Sequence, residues 1–291
     1  MAERTAFDYR HREPTGRLRR YVESIWYANG LSDFGSERIA PTGSTVLGIV
    51  LGDPIVQTPR NGAGESYEAE RGFVIGPHDE PIVNAPSGVT RCFGIVTTAI
   101  GAKAALGFVP APLRGRVVAA SVWPAFETAR ASLVGSIDVE RAIDWIDNRL
   151  RVDLNESEPA LDRCELALTT LKENPATSTV DIAATLGISH GHLDREFGRV
   201  VGIGPRTLGR ILRLRRLVES IDVFGTVTWT GLAAELGWFD QAHLIRDFKR
   251  FTGVTPTEYL SAQRQGYLHG DAEPGFVPDL SRRRDGQHPD V

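Results

Sequence analysis

The chain has 291 residues, room for two domains, with 41% hydrophobic residues and a formal net charge of −4. That charge excludes capture of a polyanion by bulk attraction, so any nucleic-acid binding must rest on a local basic stripe. Two cysteines are too few for a disulfide framework, and no apolar run is long enough to span a bilayer.

The chain opens with Met1, Ala2, Glu3, Arg4 and Thr5 and passes straight into polar sequence. With no leader of apolar core, it is expected to be cytoplasmic, with no membrane partner. Residues 45–54, 72–76 and 90–96 read as short strands punctuated by Gly and Pro, the pattern of a small β-barrel or jelly roll. Trp26, Tyr27, His78, Arg91 and Trp123 are candidates to line an effector pocket, although aromatics on strands more often pack as core. His11 and His78 are the only histidines before residue 153, too few for a metal set, so no metal and no cofactor are expected. Cys92 and Cys164 sit in apolar stretches and are expected to be reduced and buried. Helices are predicted over 125–134 and 139–150. The acidic, Pro-containing segment 153–160 reads as a linker between a domain over 1–152 and a second over 161–265. The Gly-, Pro- and charge-rich tail, 266–291, is expected to be disordered.

The second domain carries the same order of residues twice. Ala183, Ala184, Leu186 and Gly187 precede Leu193, Arg195, Glu196 and Phe197, then Gly202 and Pro205. Ala233, Ala234, Leu236 and Gly237 precede Leu244, Arg246, Asp247 and Phe248, then Gly253 and Pro256. The offset is 50 residues before the turn and 51 after it, which places one extra residue within Trp238, Phe239 and Asp240. Ser178 and Thr228 stand where the first helix of each copy would be capped, and Ser189 and Asp240 where the second would be. Gly187 and Gly237 fall at the sharp stop between helices. Two helix-turn-helix units follow.

In each second helix, Leu193 with Phe197, and Leu244 with Phe248, are four apart and predicted to face the core. Outward near the N-terminus are Gly191, Asp194 and Arg195 in the first copy, and Gln241, Ala242, Ile245 and Arg246 in the second. A recognition helix reads base edges from such positions. Arg195 and Arg246 suit a guanine edge and Gln241 an adenine edge. His190, Arg199 and Lys249 are placed to approach phosphates. Residues 205–221 between the copies form a predicted helix of roughly 25 Å at 1.5 Å per residue, with Leu214, Leu217 and Ile221 on one face. Arg206, Arg210 and Arg213 make it a candidate phosphate-contacting rod, and Arg215 and Arg216 add to its charge. Over 162–263 basic and acidic residues nearly cancel, so this stripe must supply the attraction.

From near Asp162 to near Gln263 the sequence closely resembles the AraC/XylS family of bacterial transcription regulators. The most specific stretch is 233–256, and Arg213-Leu214 also matches the family pattern. The resemblance implies a seven-helix DNA reader that places one helix of each motif in adjacent major grooves. Gly191, Asp194 and Leu244 depart from the family pattern; the first two predict thinner readout by the first motif. Segments 41–43, 51–54 and 106–110 resemble, moderately, the cupin-like sensor domain found in one branch of the family. Together these imply an α+β multidomain chain: a small β-barrel, cupin-like domain with flanking helices, then an all-α domain of two helix-turn-helix motifs joined by a linker helix. The implied partners are double-stranded promoter DNA, a small-molecule effector in the first domain, RNA polymerase for an activator, and a second copy contacting through the helices after residue 125. Two other readings stand beside this non-enzymatic one: a constitutive DNA-binding protein whose first half only dimerises, and a DNA-repair or thiol-modifying enzyme acting through Cys92.

Overall fold

A computed structural model describes residues 7–60, 65–136, 138–156, 158–267 and 275–282. Its strands are β1 Asp8–Arg12, β2 Val22–Gly30, β3 Glu37–Ile39, β4 Val46–Val50, β5 Ile55–Pro59, β6 Tyr67–Ala69, β7 Gly72–Ile75, β8 Ile82–Pro86, β9 Thr90–Thr97, β10 Val117–Ala119 and, far along the chain, β11 Phe276–Pro278. They form two antiparallel sheets, one of order β1-β2-β9-β4-β7-β10 and one of order β11-β3-β8-β5-β6. The β-rich first domain is as expected; its two sheets face each other and are not joined into a closed ring among the described residues.

Strand side chains alternate between faces, and the central strands of the six-stranded sheet bury both. Val50, Phe73, Ile75 and Cys92 turn toward the second sheet, where they meet Ile55 and Ile82. Leu47, Ile49, Val74, Phe93 and Ile95 turn the other way. That second face is covered by α1 Gly101–Leu106, α2 Phe126–Val134 and α3 Val139–Asp153, through Phe126, Ala129, Ile143 and Ile146. Asp138 caps α3 by accepting from the amides of Glu140 and Arg141.

Seven helices follow among the described residues: α4 Pro159–Glu173, α5 Thr179–Thr185, α6 His190–Val200, α7 Pro205–Ser220, α8 Trp229–Glu235, α9 Gln241–Thr252 and α10 Pro256–Gly266. Proline opens α4, α7 and α10, where its missing N–H costs nothing and its fixed φ suits the first turn. One buried apolar cluster runs from Leu47 and Ile95 through Ile143 to Leu161, Phe197 and Phe248, so the helical part packs onto the sheet part without a break.

The tail expected to be disordered is corrected in part. β11 pairs with β3 in the register Phe276 to Ile39, Val277 to Arg38 and Pro278 to Glu37. Val277 is 1% exposed, and the buried amide of Gln263 on α10 donates to the Phe276 carbonyl. Residues 268–274 and 283–291 of that tail lie outside the described residues.

Candidate nucleic-acid interface

The two repeats fold as two helix-turn-helix units, α5 with α6 and α8 with α9, joined by α7. Gly187 and Gly237 adopt φ of +68° and +79°, left-handed conformations that an L side chain would strain. The amides just beyond them close matching turns: Ile188 donates to Ala183 at 3.0 Å and Trp238 to Ala233 at 2.8 Å. Ser189 and Asp240 cap the second helices by accepting from the amides of His192 and His243, and Ser178 caps α5 from Val180. Thr228 occupies the cap position of α8, but its hydroxyl makes no capping bond.

Each second helix is braced at an equivalent carboxylate. Glu196 on α6 is 6% exposed and takes a bidentate bond from Arg163, which comes from α4. Asp247 on α9 is 2% exposed and accepts from Arg210 of α7 at 2.5 Å and from the Trp238 indole at 3.0 Å. Matching histidines lie one turn earlier, with His192 Nε2 3.1 Å from Glu196 and His243 Nε2 3.6 Å from Asp247. Hydrogen bonding to Arg163 holds the Glu196 carboxyl below its ordinary range. For Asp247 burial pushes the pKa up, but the hydrogen bonds from Arg210 and Trp238 and the charge of Arg210 outweigh it, and the net shift is downward. Both carboxylates are thus ionised anchors that fix the pitch of the helices carrying Arg195 and Arg246. The aligned Glu196 and Asp247 were visible in the repeat, but nothing in one strand of sequence connects them to Arg163 or Arg210.

The expected reading residues divide into three groups. Arg195, Arg246, Arg206, Lys249, His190, Gly191, Asp194 and Ala242 are exposed, and Gln241 and Ile245, four apart on α9, are half-buried. Asp194 lies 3.4 Å from His190 Nδ1, whose Nε2 is 3.0 Å from the Thr179 hydroxyl. The last group is already engaged within the protein. Arg199 pairs with Glu158, Arg210 serves the Asp247 brace and lies over the Phe251 ring, and Arg213 donates to the Gly237 carbonyl at 3.0 Å beneath Trp238. Arg215 pairs with Glu23 of β2 at 2.6 Å. Between the two units opens a groove of about 580 Å³ lined by Arg206, Arg210, Arg213, His243 and the segment 175–179.

The proposed effector-lining residues mostly pack as core. Tyr27 lies 4.7 Å from Phe93 between ring centroids, Trp123 is 2% exposed and His78 is 5% exposed. Trp26 fills the space above Gly94, and Arg91 donates to the Ser136 carbonyl. Cys92 and Cys164 are both unbridged and buried, as expected. A separate cleft of about 420 Å³ lies between the domains, with Arg19, Glu23 and Thr42 on one wall and Lys172, Leu212 and Arg216 on the other.

Two braced helix-turn-helix units on one connecting helix define a double DNA-binding module. Residues 182–262 match the family described as a helix-turn-helix domain, so the C-terminal part of the chain is a helix-turn-helix domain of AraC type. Residues 10–119 match a domain of unknown function, DUF6597. No curated protein matches the sequence. Among solved structures, ToxT from Vibrio cholerae is similar over 88% of this chain and 98% of its own, at 13% identity and TM-score 0.49. An unsaturated fatty acid-bound ToxT from Vibrio cholerae strain SCE256 is similar over 89% and 97%, at 11% identity and TM-score 0.45. The 7S globulin of Momordica charantia is similar over 67% of this chain and 44% of its own, at 14% identity and TM-score 0.24. No helix of the described residues is long and apolar enough to cross a membrane.

Proposed function

We propose that the chain is a sequence-specific transcription regulator whose α6 and α9 enter successive major grooves of promoter DNA. The observation that carries this reading is the duplicated brace: an ionised, buried carboxylate at the same place in each recognition helix, with an exposed arginine one residue before it. Arg195, Arg246, Gln241, Ala242 and Ile245 read base edges in this proposal, and Arg206, Lys249 and His190 meet phosphates. Arg199, Arg210 and Arg213 serve chiefly to hold the module in shape. Gly191 offers no side chain, and Asp194 is occupied by His190, so the first half-site carries less sequence information than the second. The test is selection of duplexes from a random pool by the full chain. Two half-sites about one helical turn apart are expected, the α9 half-site the richer; a pool with no enriched sequence would refute the reading.

The first domain acts as the sensing half in this proposal, with a polar small molecule seated in the cleft between the domains, where it touches both at once. A ligand bound only to the folded chain raises its melting temperature, so thermal shifts against a metabolite panel test this part; no shift with any compound would favour the constitutive reading. A second copy joined through α2 and α3, and RNA polymerase contacted by an activator, complete the proposal. The thiol-enzyme reading is disfavoured by a specific observation: Cys92 is fully buried, and burial pushes its thiol up to about 12, so no nucleophilic thiolate is presented.

A further inference from the structure

Phe239 is the residue by which the second repeat exceeds the first. Ile188 and Trp238 close equivalent turns, and Ser189 and Asp240 cap equivalent helices, so the insertion is Phe239 itself. Its partner in the turn, Trp238, is 4% exposed and bonded to Asp247, whereas Phe239 is 93% exposed, more than any other large apolar side chain described. The next exposed apolar residue in rank, Val152, reaches 77% and belongs to α3, outside the repeats. A phenylalanine so placed forfeits its burial in the free protein, and a turn needs no aromatic for its geometry.

What surrounds it points to an occupant. Arg246 and Ala242 are four apart on α9 and both exposed, so they form one row running toward the helix N-terminus. Asp240 is extended, with φ −155° and ψ 172°, and its carboxylate is turned inward to the His243 amide. Beyond Ala242, Phe239 is therefore the next exposed apolar side chain at the reading end of the helix. The one apolar group that a base presents in the major groove is the C5-methyl of thymine, and phenylalanine is among the side chains that contact it.

We propose that Phe239 is a specificity-determining residue that recognises a thymine in the α9 half-site through its C5-methyl group. The inference rests on the DNA-reading function proposed above. It gives the second motif a contact that the first motif, lacking the inserted residue, cannot make.

The test uses the full chain and the best duplex recovered from the random pool, with each thymine replaced in turn by uracil, which lacks only that methyl. Wild type is expected to lose about fourfold in affinity at one thymine of the α9 half-site, the fold-change that burial of one such group brings. Phe239→Ala is expected to bind the thymine and uracil duplexes alike, at the wild-type level for uracil, with an unchanged melting curve. If Phe239→Ala keeps the wild-type thymine preference, or if wild type has no uracil-sensitive position in that half-site, the proposal is overturned. Failure of wild type to select any sequence would instead bring down the DNA-reading function, a result distinguishable from both.

Discussion

Arg199 and Arg250 occupy the same place in the two repeats, and each ends on a carboxylate outside them: Arg199 on Glu158 at the start of α4, and Arg250 on Asp79 of the sheet domain, at 2.7 Å. Each carboxylate has a second cationic partner from the sheet domain, Lys103 for Glu158 at 2.6 Å and Arg114 for Asp79 at 3.6 Å. The second helices of both units, α6 and α9, are therefore tied at their C-terminal ends to carboxylates outside the repeats. A change in the sheet domain that moved Lys103 or Arg114 would reach α6 or α9 through one shared carboxylate.

The arginines of these ties are about half exposed, so each pair is worth only about 0.2–1 kcal/mol. Arg199→Ala/Arg250→Ala is expected to lower the urea unfolding free energy by less than about 2 kcal/mol, a loss that shrinks at high salt. A loss above about 3 kcal/mol, indifferent to salt, would mean that the ties behave as buried pairs.

The braces predict a pH dependence. Glu196 and Asp247 have folded pKa values below their unfolded ones, so their stabilisation is fully present above the unfolded carboxylate range near pH 4 and is lost as pH falls through the folded values. Glu196→Gln/Asp247→Asn should be less stable than wild type at pH 7, by roughly 2–3 kcal/mol for each charged hydrogen-bond set. It should also lose less stability between pH 5 and pH 3. Parallel stability curves for the two proteins in chemical denaturation would rule this out.

Arg246 stands exposed beside the Asp247 brace, with its base held at a fixed pitch. Arg246→Ala is expected to relax preference at one base position and to cost about 1–3 kcal/mol on the selected duplex. Competition binding against single-base variants checks it, and an equal loss on every sequence would reassign the residue to a phosphate.

Arg206 and Arg210, one turn apart on α7, should behave differently. Arg206 is exposed and is expected, on change to Ala, to flatten the slope of log affinity against log salt by roughly 0.9 while leaving sequence preference and melting unchanged. Arg210→Ala strips Asp247 of its cation and should show first as lost stability. Titrations at several salt concentrations, beside melting curves, separate the two; equal salt slopes for Arg206→Ala and wild type would make Arg206 a solvated charge.

Much of the helical domain was legible because its signals are local and occur twice. Gly187 and Gly237, Ser189 and Asp240, and the four-residue spacing of Leu193 with Phe197 each predict a turn, a cap or a buried face within a few residues. The arginine partners of Glu196 and Asp247 lie 33 and 37 residues away, and Asp79 lies 171 residues from Arg250, distances over which periodicity carries no signal. The arginines of α7 read from sequence as one basic stripe, whereas packing assigns Arg210 and Arg213 inward and leaves Arg206 outside. In the first half, Gly and Pro punctuation located β4, β7 and β9, but closure of the strands into a ring depends on pairing between strands far apart. β11 was missed because a three-residue segment ending in Pro278 has no strand pattern of its own; β3 and Gln263 supply the context that makes it one.

That last strand sets an order of events during synthesis. β3 leaves the ribosome early, with β8 available to one side soon afterwards, but its other side is completed only by residues made more than 230 positions later. Throughout that interval the nascent sheet carries an open row of amides and carbonyls, the kind of edge at which chains stick to one another. The five-stranded sheet is finished only when α4 to α10 have already emerged, so the first domain, begun first, matures after the helices that follow it.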